Sequence, residues 1–184
     1  MKYYCLYVIC FLSLTCIAQK EGQSFCGGDN TEAYFPLLES KKIIVWGNTY
    51  YTEKKTGIKE LNDKTYIEYT QTWESGDIAY LYLRKENGII YQYEENTEDE
   101  TIRLPHNFDI GDSWKTASKE GSYEIISKEG KLKTPICNYS NLLVLKSIFK
   151  NGNFTFYYLK GYGYVAATVN DNLISFVTPK LNID

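Results

Sequence analysis

From residue 41 onward, apolar and polar residues alternate with a period of two rather than 3.6, the mark of half-buried strands. Ile43–Trp46 and Thr49–Thr52 read as strands on either side of Gly47-Asn48. Across 65–73, Ile67, Tyr69, Gln71 and Trp73 share one face, while Tyr66, Glu68, Thr70 and Thr72 share the other. Gly76-Asp77 turns the chain into Ile78–Leu83, and Glu86-Asn87-Gly88 turns it again into Ile89–Tyr93. Asn-Gly between such runs predicts a hairpin, because both residues tolerate positive φ.

The second half repeats the pattern. Ile110-Gly111-Asp112 marks a turn before Ser113–Lys115, and 123–126 and 131–134 read as a hairpin around Glu129-Gly130. A long apolar strand over 141–150 reverses at Asn151-Gly152 into 154–159. Gly161-Tyr162-Gly163 precedes 164–169, and Asn170-Asp171-Asn172 precedes 173–177. About nine or ten short strands at this spacing predict an all-β fold. Sequential hairpins make it an antiparallel meander, which must curl into a half-barrel, barrel or sandwich to protect its edges. Ala33-Tyr34-Phe35 before Pro36 predicts one short turn of helix in an otherwise irregular segment, 19–40. No linker interrupts 41–184, which reads as a single all-β domain.

The first eighteen residues follow a different pattern. Lys2 precedes an uncharged run from Tyr3 to Leu14, and Cys16-Ile17-Ala18 places small residues at −3 and −1 of a cleavage site. That is the layout of a secretory signal peptide, too short to span a bilayer comfortably. Export to the periplasm or beyond the cell follows, with no transmembrane span in the mature chain. Lipidation at Cys16 is the rival, although Thr15 and Ser13 stand where a lipobox has a small residue and Leu. Cleavage after Ala18 would remove Cys5, Cys10 and Cys16 and leave Cys26 and Cys137. An even pair in an exported protein predicts a disulfide. It would fasten the weak leading segment to the sheet, stabilising by about 4–5 kcal/mol in the chain-entropy model.

Charge and composition narrow the chemistry. The 184 residues carry 20 Lys+Arg against 23 Asp+Glu, too acidic a balance for a nucleic-acid binder. The lone histidine, His106, lies beside Pro105 with no identifiable nucleophile, so no triad can be assembled. No metal-ligand, phosphate-loop or nucleophile-elbow motif is present, and no cofactor is implied. Gly161-Tyr162-Gly163 lacks the third glycine and following helix of a dinucleotide fingerprint. Glu94, Glu95, Glu98, Asp99 and Glu100 make an acidic loop, read as solvated, or else as a Ca2+ or basic-partner surface. The 18 tyrosines are the most unusual feature. Tyr66, Tyr80, Tyr82, Tyr91 and Tyr93 are candidate binding residues, with Tyr80/Tyr82 and Tyr91/Tyr93 poised to pair across the Gly88 turn. Such a ladder stabilises a sheet and also offers a rigid amphipathic surface.

Two segments resemble known proteins. Leu104-Pro105 followed by Ile110-Gly111-Asp112-Ser113-Trp114, and Tyr157-Tyr158 followed by Gly161, Gly163 and Val165, resemble segments of small exported proteins of Gram-negative bacteria. That group is mostly uncharacterised and built on curved antiparallel sheets. The order of features matches over roughly 34–178, with Lys41 standing where the group has a glycine. The resemblance implies fold and export and transfers no catalytic residue. The resulting reading is a non-catalytic exported binding protein for a protein partner or small ligand, in one version an immunity-like protein that neutralises a delivered toxin. The alternatives are a carboxylate-dependent glycan-acting enzyme, with Glu68 as its best acid, and a lipid-anchored envelope subunit.

Overall fold

The computed structural model describes residues 25–28, 33–37, 41–150 and 152–181. The expected signal peptide, 1–18, and most of segment 19–40 lie outside the described residues. Among the described residues there are twelve strands and no helix. Six strands precede residue 105: β1 (Lys42–Trp46), β2 (Thr49–Leu61), β3 (Lys64–Trp73), β4 (Ile78–Glu86), β5 (Ile89–Glu94) and β6 (Asp99–Leu104). Six follow: β7 (Ser113–Lys115), β8 (Gly121–Lys133), β9 (Asn138–Phe149), β10 (Gly152–Leu159), β11 (Gly163–Val169) and β12 (Asn172–Thr178).

All twelve belong to one antiparallel sheet in the order β6-β5-β4-β3-β2-β1-β12-β11-β10-β9-β8-β7. Every neighbouring pair is therefore consecutive in sequence except β1 and β12, which zip the two halves together at Ile44↔Val177 and Trp46↔Ser175. The sheet edges, β6 and β7, are joined by the loop 105–112 and meet without a backbone ladder. Side chains close that seam: Trp114 Nε1–H donates to the Ile102 carbonyl at 2.7 Å, and the Ala117 amide donates to Thr101 Oγ1 at 2.9 Å. The result is a meander curled into a nearly closed barrel.

Three sequence expectations change. The hairpin read around Glu129-Gly130 is one long strand, β8, with irregular register at Ser127 and Gly130. Gly130 lies opposite Leu142, where a Cβ would come within 2.3 Å of Val144, so that glycine admits a close neighbour and does not turn the chain. The strand read over Thr49–Thr52 runs on through the charged stretch 53–61 as β2, which bulges at Lys55/Gly57 to stay paired with β3. Ala33-Tyr34-Phe35 forms a bend and no helix. Tyr34 and Phe35 instead face the buried cluster of Ile90, Leu104, Ile125, Leu143, Leu145 and Tyr158, and the Ala33 carbonyl accepts from the Gly161 amide at 2.9 Å.

The turns follow the expected chemistry. Asn87-Gly88 and Asn170-Asp171 adopt positive φ at both positions, as tight hairpins require. Gly88 is doubly constrained, since a Cβ there would strike the His106 ring. Cys26 and Cys137 are bonded, with Cα atoms 5.5 Å apart. Phe25 reinforces that attachment by packing edge-on against Tyr162 at 5.6 Å. No helix among the described residues is long and apolar enough to cross a membrane.

Candidate functional site

The five candidate tyrosines fall on one face of β3, β4 and β5. Tyr82 lies opposite Tyr93, and Tyr91 lies opposite Arg84. Tyr80 stacks on Tyr82, Tyr66 meets Tyr93 edge-on, and the Arg84 guanidinium lies 4.3 Å from the centre of the Tyr91 ring. Tyr66 and Tyr82 are almost fully buried, whereas Tyr80 is exposed.

The acidic run does not act as one surface. Glu95, Glu98 and Asp99 stay exposed at the tip of the β5–β6 hairpin, and Glu94 pairs with Asp99 at its base. Glu100 turns back into the tyrosine face, where it accepts from Arg84 Nε and Nη2, Lys64 Nζ and Tyr66 Oη. Burial disfavours its charge, but the donors from Arg84, Lys64 and Tyr66 prevail and hold its carboxyl down to about 2. Burial and the neighbouring Glu100 push the Tyr66 phenol up to about 12. These partners use the polar groups of Arg84 and Glu100 on each other. His106 is exposed on the Gly88 turn, and among the described residues no three His, Cys, Asp or Glu side chains gather as a metal site.

The opposite, concave face encloses a cavity of about 330 Å³. Strand alternation aims Lys42 and Trp46 (β1), Tyr51 and Glu53 (β2), Tyr69 and Gln71 (β3), and Gln92 (β5) into it, and Phe35 and Pro36 border it. Arg103 on β6 and Tyr158 on β10 meet there from opposite halves of the chain. Arg103 Nη1 donates to Gln92 Oε1 at 3.1 Å and to Tyr123 Oη at 3.2 Å, and Nη2 donates to Tyr158 Oη at 3.3 Å. No carboxylate among the described residues pairs with Arg103.

Lys42 donates to the Tyr162 carbonyl at 2.7 Å and lies 4.6 Å from that ring's centre. Gly163, at φ +90°, leaves the room this requires, because a Cβ there would stand 3.2 Å from Nζ. Burial pulls the Lys42 ammonium down to about 8 against the attraction of Glu53, its cross-strand partner. Glu53 accepts from Gln71 Nε2 at 2.8 Å. Burial raises the phenols of Tyr51, Tyr158 and Tyr164, so they remain neutral hydroxyl groups. Tyr164 donates to Ser175 Oγ at 2.7 Å.

Of the five tyrosines that sequence reasoning placed in the candidate site, Tyr80 borders the cavity, while Lys42, Glu53 and Arg103 were missed. Their signal was present, since a charged residue at an inward position of a strand breaks the apolar pattern. Reading it requires knowing which face of β2 and β6 is inward, and bulges at Lys55/Gly57 and Ile90/Tyr91 shift that phase. The two segments that carried the sequence resemblance lie at structurally decisive places. Segment 104–114 runs from β6 through the connecting loop into β7, and 157–165 supplies Tyr158, Gly163 and Tyr164 to the cavity.

No protein family matches the chain, and no curated protein matches it. Among solved structures it is similar to a Bacteroides fragilis protein described as a "putative exported protein with YmcC-like fold", with TM-score 0.45, 11% identity, and coverage of 80% of this chain and 97% of that one. It is also similar to a "putative lipoprotein" from Parabacteroides distasonis, with TM-score 0.45, 13% identity, and coverage of 80% and 96%.

Proposed function

We propose that the chain is a non-catalytic exported binding protein that holds a small ligand inside its barrel. The observation that carries this reading is the 330 Å³ cavity, lined by aromatic walls with a few convergent polar groups. That combination of apolar body and sparse, placed polar groups is typical of ligand pockets. The lining includes one carboxylate, Glu53, whereas hydrolysis of a glycan by paired acids needs two facing one cleft. Glu68, the sequence candidate for such an acid, instead accepts from Thr56 Oγ1 at 3.0 Å outside the cavity. A toxin-neutralising role would use the outer face instead, where Glu95, Glu98 and Asp99 are exposed. A lipid-anchored subunit would depend on Cys16, which lies outside the described residues.

The test is uptake of a neutral apolar fluorophore, N-phenyl-1-naphthylamine, by residues 19–184 with the disulfide intact. Saturable uptake of one molecule per chain is expected. Leu81→Trp, which adds bulk to the lining, should weaken it at least tenfold without lowering the thermal midpoint. Absence of saturable uptake by the unmodified protein would remove the reading.

A further inference from the structure

Arg103 carries an unused capacity that Arg84 does not. A guanidinium has five N–H donors in a planar fork and no acceptor. For Arg84, Nε and Nη2 engage Glu100 and Nη1 engages Glu86, so its charge is met by carboxylates on both edges. For Arg103, the contacts to Gln92 and Tyr123 use the two hydrogens of Nη1, and that to Tyr158 uses one of Nη2. The donors left are Nε–H and one hydrogen of Nη2, and the atoms Nε and Nη2 share one edge of the fork. That edge is the one that takes a carboxylate through two parallel hydrogen bonds.

The hydroxyl groups around it point the same way. Tyr123 Oη and Tyr158 Oη both accept from Arg103, and neither hydroxyl proton has an acceptor among the described residues. The charge of Glu94 reaches Arg103 from a distance, but no carboxylate among the described residues touches its guanidinium, and a buried donor without an acceptor is costly. Charge agrees: the lining carries Lys42 and Arg103 against Glu53, a net of one positive charge. Aromatic rings, including Trp46, Phe156 and Tyr164, surround these groups and suit an apolar body.

Resting on the cavity reading, we propose that the barrel binds a small organic carboxylate, its head group forked on Arg103 with the Tyr158 hydroxyl as a further donor, and its apolar body against the aromatic walls. A single fork and one net positive charge match a monoanion, which favours a carboxylate over a phosphate dianion.

The experiment pairs each acid with its neutral alcohol on the disulfide-intact chain: 3-phenylpropanoate with 3-phenylpropan-1-ol, and octanoate with octan-1-ol. Displacement of N-phenyl-1-naphthylamine at pH 7 is the readout. At least one acid is expected to bind tenfold or more tightly than its alcohol. Arg103→Gln should bring that acid to the affinity of its alcohol, and Arg103→Lys, with charge but no fork, should fall between. Because the acid–alcohol comparison is made on the unmodified protein, it stands even if Arg103 variants fold poorly. Equal binding of acids and alcohols would overturn the anion assignment while leaving the cavity reading intact, whereas failure of the fluorophore itself to bind would overturn both. Tighter binding of phenyl phosphate than of either acid would overturn the choice of a carboxylate.

Discussion

At the scale of single residues, charge buried on the two faces of the sheet is handled in opposite ways. On the outer face, Glu100 is surrounded by Arg84, Lys64 and Tyr66, and each polar group finds its complement. On the inner face, Lys42 keeps one carbonyl and one ring, and burial lowers its pKa to about 8. The unfolded chain holds this proton up to about 10.5, so between those values it binds more protons than the folded chain. Stability contributed by Lys42 must therefore rise with pH above 8. Titration of the buried tyrosines, whose phenols are raised, opposes it above pH 10. The expected result is a gain on the order of 2 kcal/mol between pH 7 and 9.5 that is absent in Lys42→Met. Urea unfolding of both proteins at these two pH values measures it, and parallel pH curves would contradict the assignment.

At the scale of elements, the seam between β6 and β7 is the place where regular pairing stops. Every other strand has hydrogen-bonded neighbours on both sides, whereas these two edges rely on Trp114 and Thr101. Regions with few backbone bonds open at lower free energy than central strands. Trp114→Phe keeps a ring against Tyr123 but leaves the Ile102 carbonyl without its indole donor. A loss of about 1 kcal/mol is expected. Amide exchange should quicken in β6 and β7 and stay unchanged in β9 and β10. Uniform acceleration across all strands would show instead that the seam has no separate stability. The same scale shows why strand limits were only partly legible. Asn-Gly and Asn-Asp turns announce themselves chemically, while Gly130 looks like a turn in sequence and serves as an irregularity within β8.

At the scale of the whole molecule, the disulfide ties the leading segment to the turn between β8 and β9. Cys137 sits in that turn, its amide bonded to Thr134 Oγ1 at 3.0 Å. The segment is held at further points by Phe25 on Tyr162, Phe35 on Tyr158, and the Ala33–Gly161 backbone bond. The apolar residues of this short stretch thus do more anchoring than its composition suggested. Cys26→Ser/Cys137→Ser should lower stability by about 4–5 kcal/mol, the chain-entropy figure for a loop of this length. Protease should then cut before Ala33 while the far-ultraviolet β signal persists. Two titratable thiols in the native protein, purified without reductant, would mean that the bridge does not form.

The sequence by itself determined the class of fold, several of the hairpin turns and the disulfide partners, because these depend on local alternation, turn residues and a count of two cysteines. Tyr82 opposite Tyr93 was likewise readable from the Gly88 turn, since a tight hairpin sets its own register. The pairing of β1 with β12, the seam, and the meeting of Arg103, Lys42, Glu53 and Tyr158 were decided only by the tertiary structure. These contacts join residues far apart in the chain, and no local pattern encodes them. Closure of the barrel turns scattered inward positions into one cavity, and small bulges in β2 and β6 choose which charges face it.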